Sequence, residues 1–421
     1  MTTSSSGNRG RGLWSRPRGA RRPARAAVLL PAALTAALVV GGSVHAGLGS
    51  SGDAREGNAL VQDWSARSGG QQVLGGSRTP GVPSVQRLRH DDVEFTVTVA
   101  PARPGRNLVR IDSTHVGEGH AHRTLPVLVG TSEEDLVRAR PRPGTDGLWA
   151  VVDLPAGSGT VLVTHGREHR VPFAVDTGSD TPDTGAWTGP DGPECLASAT
   201  GAILAGGAAP VGCPAGSLSP ADGTALRSVV DTLATRGVEQ LAVQRDGSAR
   251  SRAAYDVVRR VATGAGMRVV DPDRTPAPRS ALLVVSGWSE AARGLRRVTA
   301  LPLREQPVRS DGTWLAPWLL TPAVVDSTPG AILPLDFDIR DDAAQEYSQT
   351  LARYLPGQSP TASGYLAWRA ERGTHPDDPQ LFAASRAAYM PASGNHDHHE
   401  TVVAWFPGGT VTPVGPLAPS S

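Results

Sequence analysis

Polar and aromatic residues follow two short apolar stretches in the C-terminal half of the chain. Residues 241–243 and 281–285 have the length and composition of buried β-strands. The first leads into Arg-Asp-Gly-Ser (245–248) and the second into Ser-Gly-Trp-Ser-Glu (286–290). A segment with helical spacing follows each loop, which predicts a parallel sheet with right-handed crossovers. Such sheets bind ligands at the carboxyl ends of their strands, where hydroxyls, carboxylates and an indole could hold an ammonium, amide or hydroxyl group.

Structural roles are also open to these residues. Asp246, and either Ser289 or Glu290, are placed to cap the helices that follow or to supply acidic residues to their first turns. Trp314 and Trp318 could line the same edge of the sheet, although two tryptophans in an apolar segment are more often core residues.

Histidines gathered in two loops suggest a second kind of chemistry. One group comprises His115, His120 and His122, and the other, beside two acidic residues, comprises His396, His398 and His399. Imidazoles and carboxylates this close in sequence suit Cu(II), Zn or Ni. The sequence therefore predicts either a metal site of copper or zinc type or two solvated polar loops. With two cysteines in the chain, iron–sulfur and Cys-ligated metal sites are excluded.

Motifs for catalysis are missing from the sequence. It contains no Gly-x-Ser-x-Gly, no Walker loop, no His-Glu-x-x-His and no pair of Cys-x-x-Cys motifs. We therefore expect a protein that is not an enzyme.

Length and composition set the domain organisation and exclude one class of partner. A chain of 421 residues is too long for one typical core, and 49 Gly with 36 Pro indicate long linkers and many turns. All 41 basic residues are Arg, as is common in high-GC genomes, and they balance 40 acidic residues to a net charge of +1. This balance argues against a general nucleic-acid partner.

The N-terminal segments predict export and membrane association. Residues 1–25 are basic without an acidic residue, and residues 26–46 are largely apolar and uncharged. This order is typical of a signal peptide, and the apolar run is also just long enough for a transmembrane anchor. Both alternatives place the rest of the chain outside the cytoplasm. Residues 47–84, rich in Gly, Ser and Arg, are predicted to form a flexible stalk.

Residues 85–176 have the pattern of an antiparallel β-sandwich. Residues 93–99 alternate strictly between apolar and polar side chains, as a strand with one buried face would. Further short strands are predicted at 107–111, 126–129, 148–154, 160–165 and 171–175. The frame VEFTVTVAPARPGRNLVRI, followed by GLWAVVDLPAGSGTVLVTHG, resembles the immunoglobulin-like domains found beside bacterial copper-handling proteins.

A polar linker, residues 177–193, leads to an α/β module over residues 194–415. The module holds the two cysteines, Cys195 and Cys213. Outside the cytoplasm a pair at this spacing favours a disulfide, worth about 3 kcal/mol in the chain-entropy model. Residues 224–236 predict a helix that ends at Gly237.

Three ordered segments resemble the type 1 periplasmic binding proteins, the solute receptors of branched-chain amino-acid transporters. The segments are LAVQRDGSARSRAAYDVVRRVATGAGMRVV, SALLVVSGWSEAARGLRRV and LDFDIRDDAAQEYSQTLARYLPGQSPTASGYLAW. The resemblance runs from about residue 224 to 372 and implies one lobe of a two-lobed receptor fold, because residues 180–220 are too few for the other lobe. It places a ligand at Asp246, Ser248, Ser286, Trp288 and Glu290. Gly247-Ser248 stands where the family usually has Tyr-Gly.

Together these observations predict an extracytoplasmic, membrane-associated, non-catalytic protein that acts as a solute receptor or sensor. The ligand would be a small molecule such as an amino acid or amide, and a membrane protein would receive the signal. One alternative is a metal-binding protein that uses the two histidine loops. The other is a structural cell-surface protein.

Overall fold

The structure is a computed structural model, and it describes residues 72–74, 79–90, 93–115, 126–166, 169–208, 212–386, 405–406 and 409–417. All of these belong to one of the two units into which the chain divides, residues 51–421. The predicted export or anchor segment, 26–46, lies outside the described residues. Among the helices that are described, none is both long and apolar enough to cross a bilayer.

The N-terminal part of this unit is a sandwich of two antiparallel sheets. Its strands in chain order are β1 Gln72–Leu74, β2 Ser84–His90, β3 Val93–Ala100, β4 Gly105–His115, β5 Val127–Gly130, β6 Val137–Arg138, β7 Leu148–Leu154, β8 Ser158–His165 and β9 His169–Asp176. One sheet has the order β1-β2-β3-β4-β7 and the other β6-β5-β8-β9. The predicted sandwich is confirmed, whereas an immunoglobulin-like arrangement of its strands stays a prediction. Strand β1 lies within the segment that the sequence assigns to the stalk.

Strand β3 is buried on both faces, although its alternation predicts one buried face. Phe95 and Val97 enter the core between the two sheets. Thr96 and Thr98 point the other way and are also buried, at 3% and 0% exposure. The reason lies outside the strand, because the larger sheet also packs against the rest of the chain through Leu108 and neighbouring residues.

Helices connect the sandwich to the second part of the unit. They are α1 Gly185–Thr188, α2 Gly192–Leu204 and α3 Pro220–Thr235. Cys195 of α2 forms a disulfide with Cys213, 18 residues later, as predicted. The predicted stop of α3 is also present, since Gly237 has φ +80°, a conformation that other residues rarely adopt.

The α/β module is built on a seven-stranded sheet with the order β11-β10-β12-β13-β14-β15-β16. The strands are β10 Gln240–Gln244, β11 Arg268–Val270, β12 Ser280–Val284, β13 Thr313–Leu315, β14 Gly330–Leu335, β15 Gln380–Arg386 and β16 Gly409–Pro416. The helices are α4 Ala249–Gly264, α5 Trp288–Thr299, α6 Pro322–Val325, α7 Asp342–Tyr354 and α8 Ala362–Arg372.

Strands β10 and β12 are parallel neighbours, as the sequence predicts. Gln240 pairs with Ser280 and Gln244 with Val284, so both strands end at the same edge of the sheet. Every residue of the two strands is buried, which explains why they read as continuous apolar runs. Strands β15 and β16 close the other side of the sheet as an antiparallel pair.

Candidate functional site

The loops that leave β10 and β12 are joined by a carboxylate. Asp246 Oδ2 accepts a hydrogen bond from the backbone N–H of Gly287 at 2.7 Å. Asp246 Oδ1 accepts from the N–H of Ser248 at 2.8 Å. Burial alone would raise the pKa of Asp246, but the hydrogen bonds from Ser248 and Gly287 outweigh it and lower that pKa. Asp246 is therefore an ionised cross-link between the two loops, half-buried at the sheet edge.

Two of the other predicted ligand residues have local partners. Ser248 is the N-cap of α4, and its hydroxyl accepts a hydrogen bond from the N–H of Ser251 at 3.2 Å. Glu290, in the first turn of α5, pairs with Arg293 at 2.6 Å and with Arg297 at 3.3 Å. The first-turn role that the sequence leaves open accounts for the contacts of Glu290. The predicted caps are wrong, because the N-cap of α4 is Ser248 instead of Asp246 and the N-cap of α5 is Gly287 instead of Ser289 or Glu290.

Ser286 and Trp288 lie deeper, in a pair of hydrogen bonds with Trp318. The indole N–H of Trp288 donates to the carbonyl of Trp318 at 2.7 Å, and the indole N–H of Trp318 donates to the carbonyl of Ser286 at 3.0 Å. All three residues are at most 3% exposed. The hydroxyl of Ser286 is buried with no hydrogen-bond partner. A buried hydroxyl without a partner is unusual and calls for a physical reason.

An arginine that is not among the predicted site residues, Arg250, lies at the centre of this edge of the sheet. Arg250, in the first turn of α4, donates to both carboxylate oxygens of Glu194 at 2.7 and 2.6 Å. The hydroxyl of Ser363 donates to the same carboxylate at 2.7 Å. The Arg250 guanidinium also lies 4.5 Å from the centre of the Trp318 ring. Because Glu194 and Arg250 have side-chain exposures of 0% and 3%, this is a fully desolvated pair.

A further carboxylate, Asp191, closes over the loop of β12. Its Oδ1 atom is buried and has no hydrogen-bond partner. The backbone of Gly287 passes so close that a Cβ atom there would lie 2.0 Å from that oxygen. Burial, together with the charges of Glu194 and Asp246, raises the pKa of Asp191 to about 6 against the opposing effect of Arg250. Glycine at 287 is thus needed for this contact.

Charge at this edge is unbalanced. Arg250 acts on Asp191, Asp222 and Asp246 as well as on its partner Glu194. We call these five residues, with Ser286, the rim cluster. Four carboxylates therefore share Arg250, and burial raises the pKa of Asp222 in spite of a hydrogen bond from Ser219. The cluster has an excess of hydrogen-bond acceptors and of negative charge.

A small cavity lies beside the rim cluster, between the sandwich and the module. Its volume is about 30 Å³, room for roughly one water molecule, and its lining includes Trp149, Thr200, Trp288 and Gln358. Thr200 Oγ1 and Gln358 Nε2 are buried there without hydrogen-bond partners. Sites for drug-sized ligands are about ten times larger or more. This cavity has no room for such a ligand.

Only part of this site could be read from the sequence. Glu194, Asp191 and Ser363 carry no local signal, because each comes to Arg250 from another part of the chain. Arg250 itself carries one, since an arginine in the first turn opposes the helix dipole unless a carboxylate is near. Trp314 and Trp318 both belong to the buried core, the more common role for such a pair. Trp318 also contacts the loop of β12 and Arg250, whereas the indole N–H of Trp314 donates to the Asp311 carbonyl.

The predicted histidine sites stay predictions. His115 ends β4, opposite Val93, and the other five histidines lie outside the described residues. Within the described part of the chain, no group of three or more His, Cys, Asp or Glu residues is placed to hold a metal ion.

Comparison with solved structures finds solute-binding proteins of transporters over part of the chain. One is a branched-chain amino-acid ABC transporter periplasmic ligand-binding protein from Burkholderia xenovorans LB400, with 11% identity, 46% of this chain and 63% of that chain covered, and a TM-score of 0.31. A second is a solute-binding protein from Rhodopseudomonas palustris BisB5 in complex with 3,4-dihydroxy benzoic acid, with 11% identity, 48% and 66% covered, and a TM-score of 0.33. A third is a branched-chain amino-acid ABC transporter protein from Thermus thermophilus with bound valine, with 13% identity, 35% and 44% covered, and a TM-score of 0.28.

These neighbours are type 1 periplasmic binding proteins, the class that the sequence resembles. The chain spans less than two thirds of the length of each of the three. No protein-family model matches the chain, and no curated protein matches it.

Proposed function

We propose that this protein is a non-catalytic, extracytoplasmic solute receptor or sensor whose module binds a small molecule with an ammonium or amide group at the exits of β10 and β12. The observation that carries the proposal is the rim cluster: excess carboxylates stand beside a buried hydroxyl that has no donor. A ligand's N–H groups would supply what Ser286 Oγ and Asp191 Oδ1 lack. Asp246 would bind the same group, with Ser248, Trp288 and Glu290 shaping its surroundings.

Binding would move the linker, because Asp191 belongs to it. A solute needs far more room than one water molecule, so it would enter as the Asp191 segment moves away from Gly287. The backbone of Trp288, next to Gly287, also touches the sandwich: a Cβ at Gly144 would lie 2.3 Å from the Trp288 carbonyl oxygen. Thr321 donates a hydrogen bond to the Gly144 carbonyl at 3.3 Å. These contacts support the proposal that the sandwich would pass the change to a membrane-protein partner.

The disulfide supports the extracytoplasmic part of the proposal. Such bonds form and persist in oxidising compartments and are rare in the cytosol. Fractionation of cells that express the full chain would test the location. Export gives a protein in the extracytoplasmic or membrane fraction, and a wholly cytosolic protein would refute it.

Calorimetric titration of the full-length chain with small primary amines, amides and amino acids tests the binding proposal. We expect at least one compound to bind wild type and to lose at least about tenfold in affinity in Ser286→Ala. This substitution removes a hydroxyl that makes no hydrogen bond, so the fold should keep its stability.

Ser310→Ala is the matched control. Ser310 accepts a hydrogen bond from Ser280, at the amino end of β12 and thus at the opposite edge of the sheet. The Ser310→Ala variant should bind the compound with the same affinity as wild type. If Ser286→Ala binds every active compound with unchanged affinity, the proposed site is wrong.

A further inference from the structure

Glu194 is bound as the carboxylate of a ligand would be bound. Two parallel N–H···O bonds from Arg250 and one O–H···O bond from Ser363 hold it, over an indole ring that supports the guanidinium. This bidentate geometry is the one by which arginine recognises carboxylates in general. Glu194 comes from α2, outside the parallel sheet, and lies 56 residues before Arg250 in the chain. The module has a carboxylate site, and the chain itself fills it.

Arg250 is therefore already paired with a carboxylate of the chain before a solute binds. It is the cation that acts on Asp191, Asp222 and Asp246, and Glu194 occupies its bidentate edge. Arg245, in the loop that precedes α4, lies instead over the Tyr255 ring, 4.3 Å from its centre. A carboxylate that approached Gly287 would face the like charge of Asp246. It would also face Asp191 whenever that residue is ionised.

From this juxtaposition we propose that the ligand is an amine or amino amide without a carboxylate, and that Glu194 takes the place of the carboxylate an amino acid would bring. This inference rests on the proposed function and narrows its ligand class. The ammonium group of the ligand would offset the negative charge of Asp191 and Asp246. It would also donate a hydrogen bond to the Ser286 hydroxyl. A zwitterionic amino acid would bring a second anion that has no free cation to meet within the described part of the cluster.

Three matched compounds test the proposal by calorimetric titration of the full-length chain: valine, valinamide and isobutylamine. They share one side chain and an ammonium group, and only valine has a carboxylate. We expect valinamide and isobutylamine to bind at least about tenfold more tightly than valine, because like charges in a desolvated site strongly oppose binding. In Glu194→Ala the Arg250 site is free, so the preference should shift toward valine by at least about tenfold.

A second variant covers the case in which Glu194→Ala does not fold. Glu194→Gln keeps the acceptor oxygen for Arg250 and Ser363 but removes the charge, and it should reduce the discrimination against valine. If wild type binds valine as tightly as the two other compounds, or neither variant shifts the preference, this inference is wrong and the proposed function stands. If wild type binds no compound of the broader panel, the proposed function fails and the inference fails with it.

Discussion

Two buried arginines, one in the sandwich and one in the module, are each paired with a carboxylate, but the two carboxylates come from different parts of the chain. Arg110 pairs at 2.7 Å with Asp112, two residues along the same strand, and donates to the Gly357 carbonyl of the module at 3.0 Å. Arg250 pairs with Glu194 from a different element. The first pair joins the two parts of the unit, and the second closes the edge where a ligand would bind.

The surroundings of the two pairs differ more than their geometry. Arg110 lines the cavity of about 30 Å³, where a water molecule has room. Arg250 shares its charge among four carboxylates, and its partner is completely buried. The loss of Arg110 should therefore lower the free energy of unfolding less than the loss of Arg250, which is the cation of the desolvated rim cluster.

Removing the arginine should show the largest difference between the two regions. Arg250→Met leaves Glu194 buried and unpaired, which we expect to cost about 3–5 kcal/mol in the free energy of unfolding. Arg110→Met should cost less, about 1–3 kcal/mol, since the Asp112 side chain keeps 8% exposure to solvent whereas Glu194 has none. Chemical denaturation measures both values.

Arg259→Met serves as the surface control for that experiment. Arg259 is 60% exposed and pairs loosely with Asp256 at 3.6 Å, so its loss should change the stability by no more than about 0.5 kcal/mol. Equal losses for Arg110→Met and Arg250→Met would remove the distinction drawn between the two regions.

Two glycines, one in each of the loops that leave β10 and β12, allow a comparison with smaller expected effects on stability. A methyl group at Gly287 would meet Asp191 Oδ1 at 2.0 Å, whereas a methyl group at Gly247 meets nothing within 4 Å. Gly287→Ala should therefore cost about 1–3 kcal/mol and Gly247→Ala less than about 0.5 kcal/mol. Denaturation of the double variant Gly287→Ala, Asp191→Ala checks the cause, since it should recover much of the loss. A loss that stays the same in the double variant would locate the strain elsewhere.

The pH dependence of stability reports on Asp191. Its pKa in the folded protein, about 6, is above its ordinary value of 3.8. The stability that protonation of Asp191 contributes is fully present below about pH 3.8 and is lost as the pH rises through 6. Asp191→Asn cannot ionise, so its melting temperature should exceed that of wild type at pH 8, by a margin that shrinks toward pH 4. The charged groups that face Asp191 are Glu194, Asp246 and Arg250. A margin that is constant with pH would contradict this account.

Two serines of the same edge should have small effects on stability. Ser248→Ala removes the N-cap of α4 and should cost about 1 kcal/mol. Ser286→Ala removes a hydroxyl with no hydrogen-bond partner, so the stability should stay equal or rise slightly. Denaturation curves of the two variants distinguish a hydroxyl that serves the fold from one that does not. A larger loss for Ser286→Ala than for Ser248→Ala would reverse these roles.

Local patterns predict the elements of this fold better than they predict its site. Alternation and apolar runs located β3, β7, β10 and β12 because burial acts on each strand's own residues. The second buried face of β3 could not be predicted, since it depends on packing by a later part of the chain. The sequence predicts Asp246 and Ser286 at this edge because each lies two residues after the end of a strand. Glu194 was missed because its partner lies 56 residues away.

The disulfide has a consequence for a chain cut by a protease. Glu194 adjoins Cys195, and the loop up to Cys213 holds residues 209–211, outside the described part of the chain. Hydrolysis of any peptide bond in that loop would leave both fragments covalently joined through sulfur. The two halves would migrate as one species until a thiol is added, and Arg250 would keep its counter-ion after the backbone is broken.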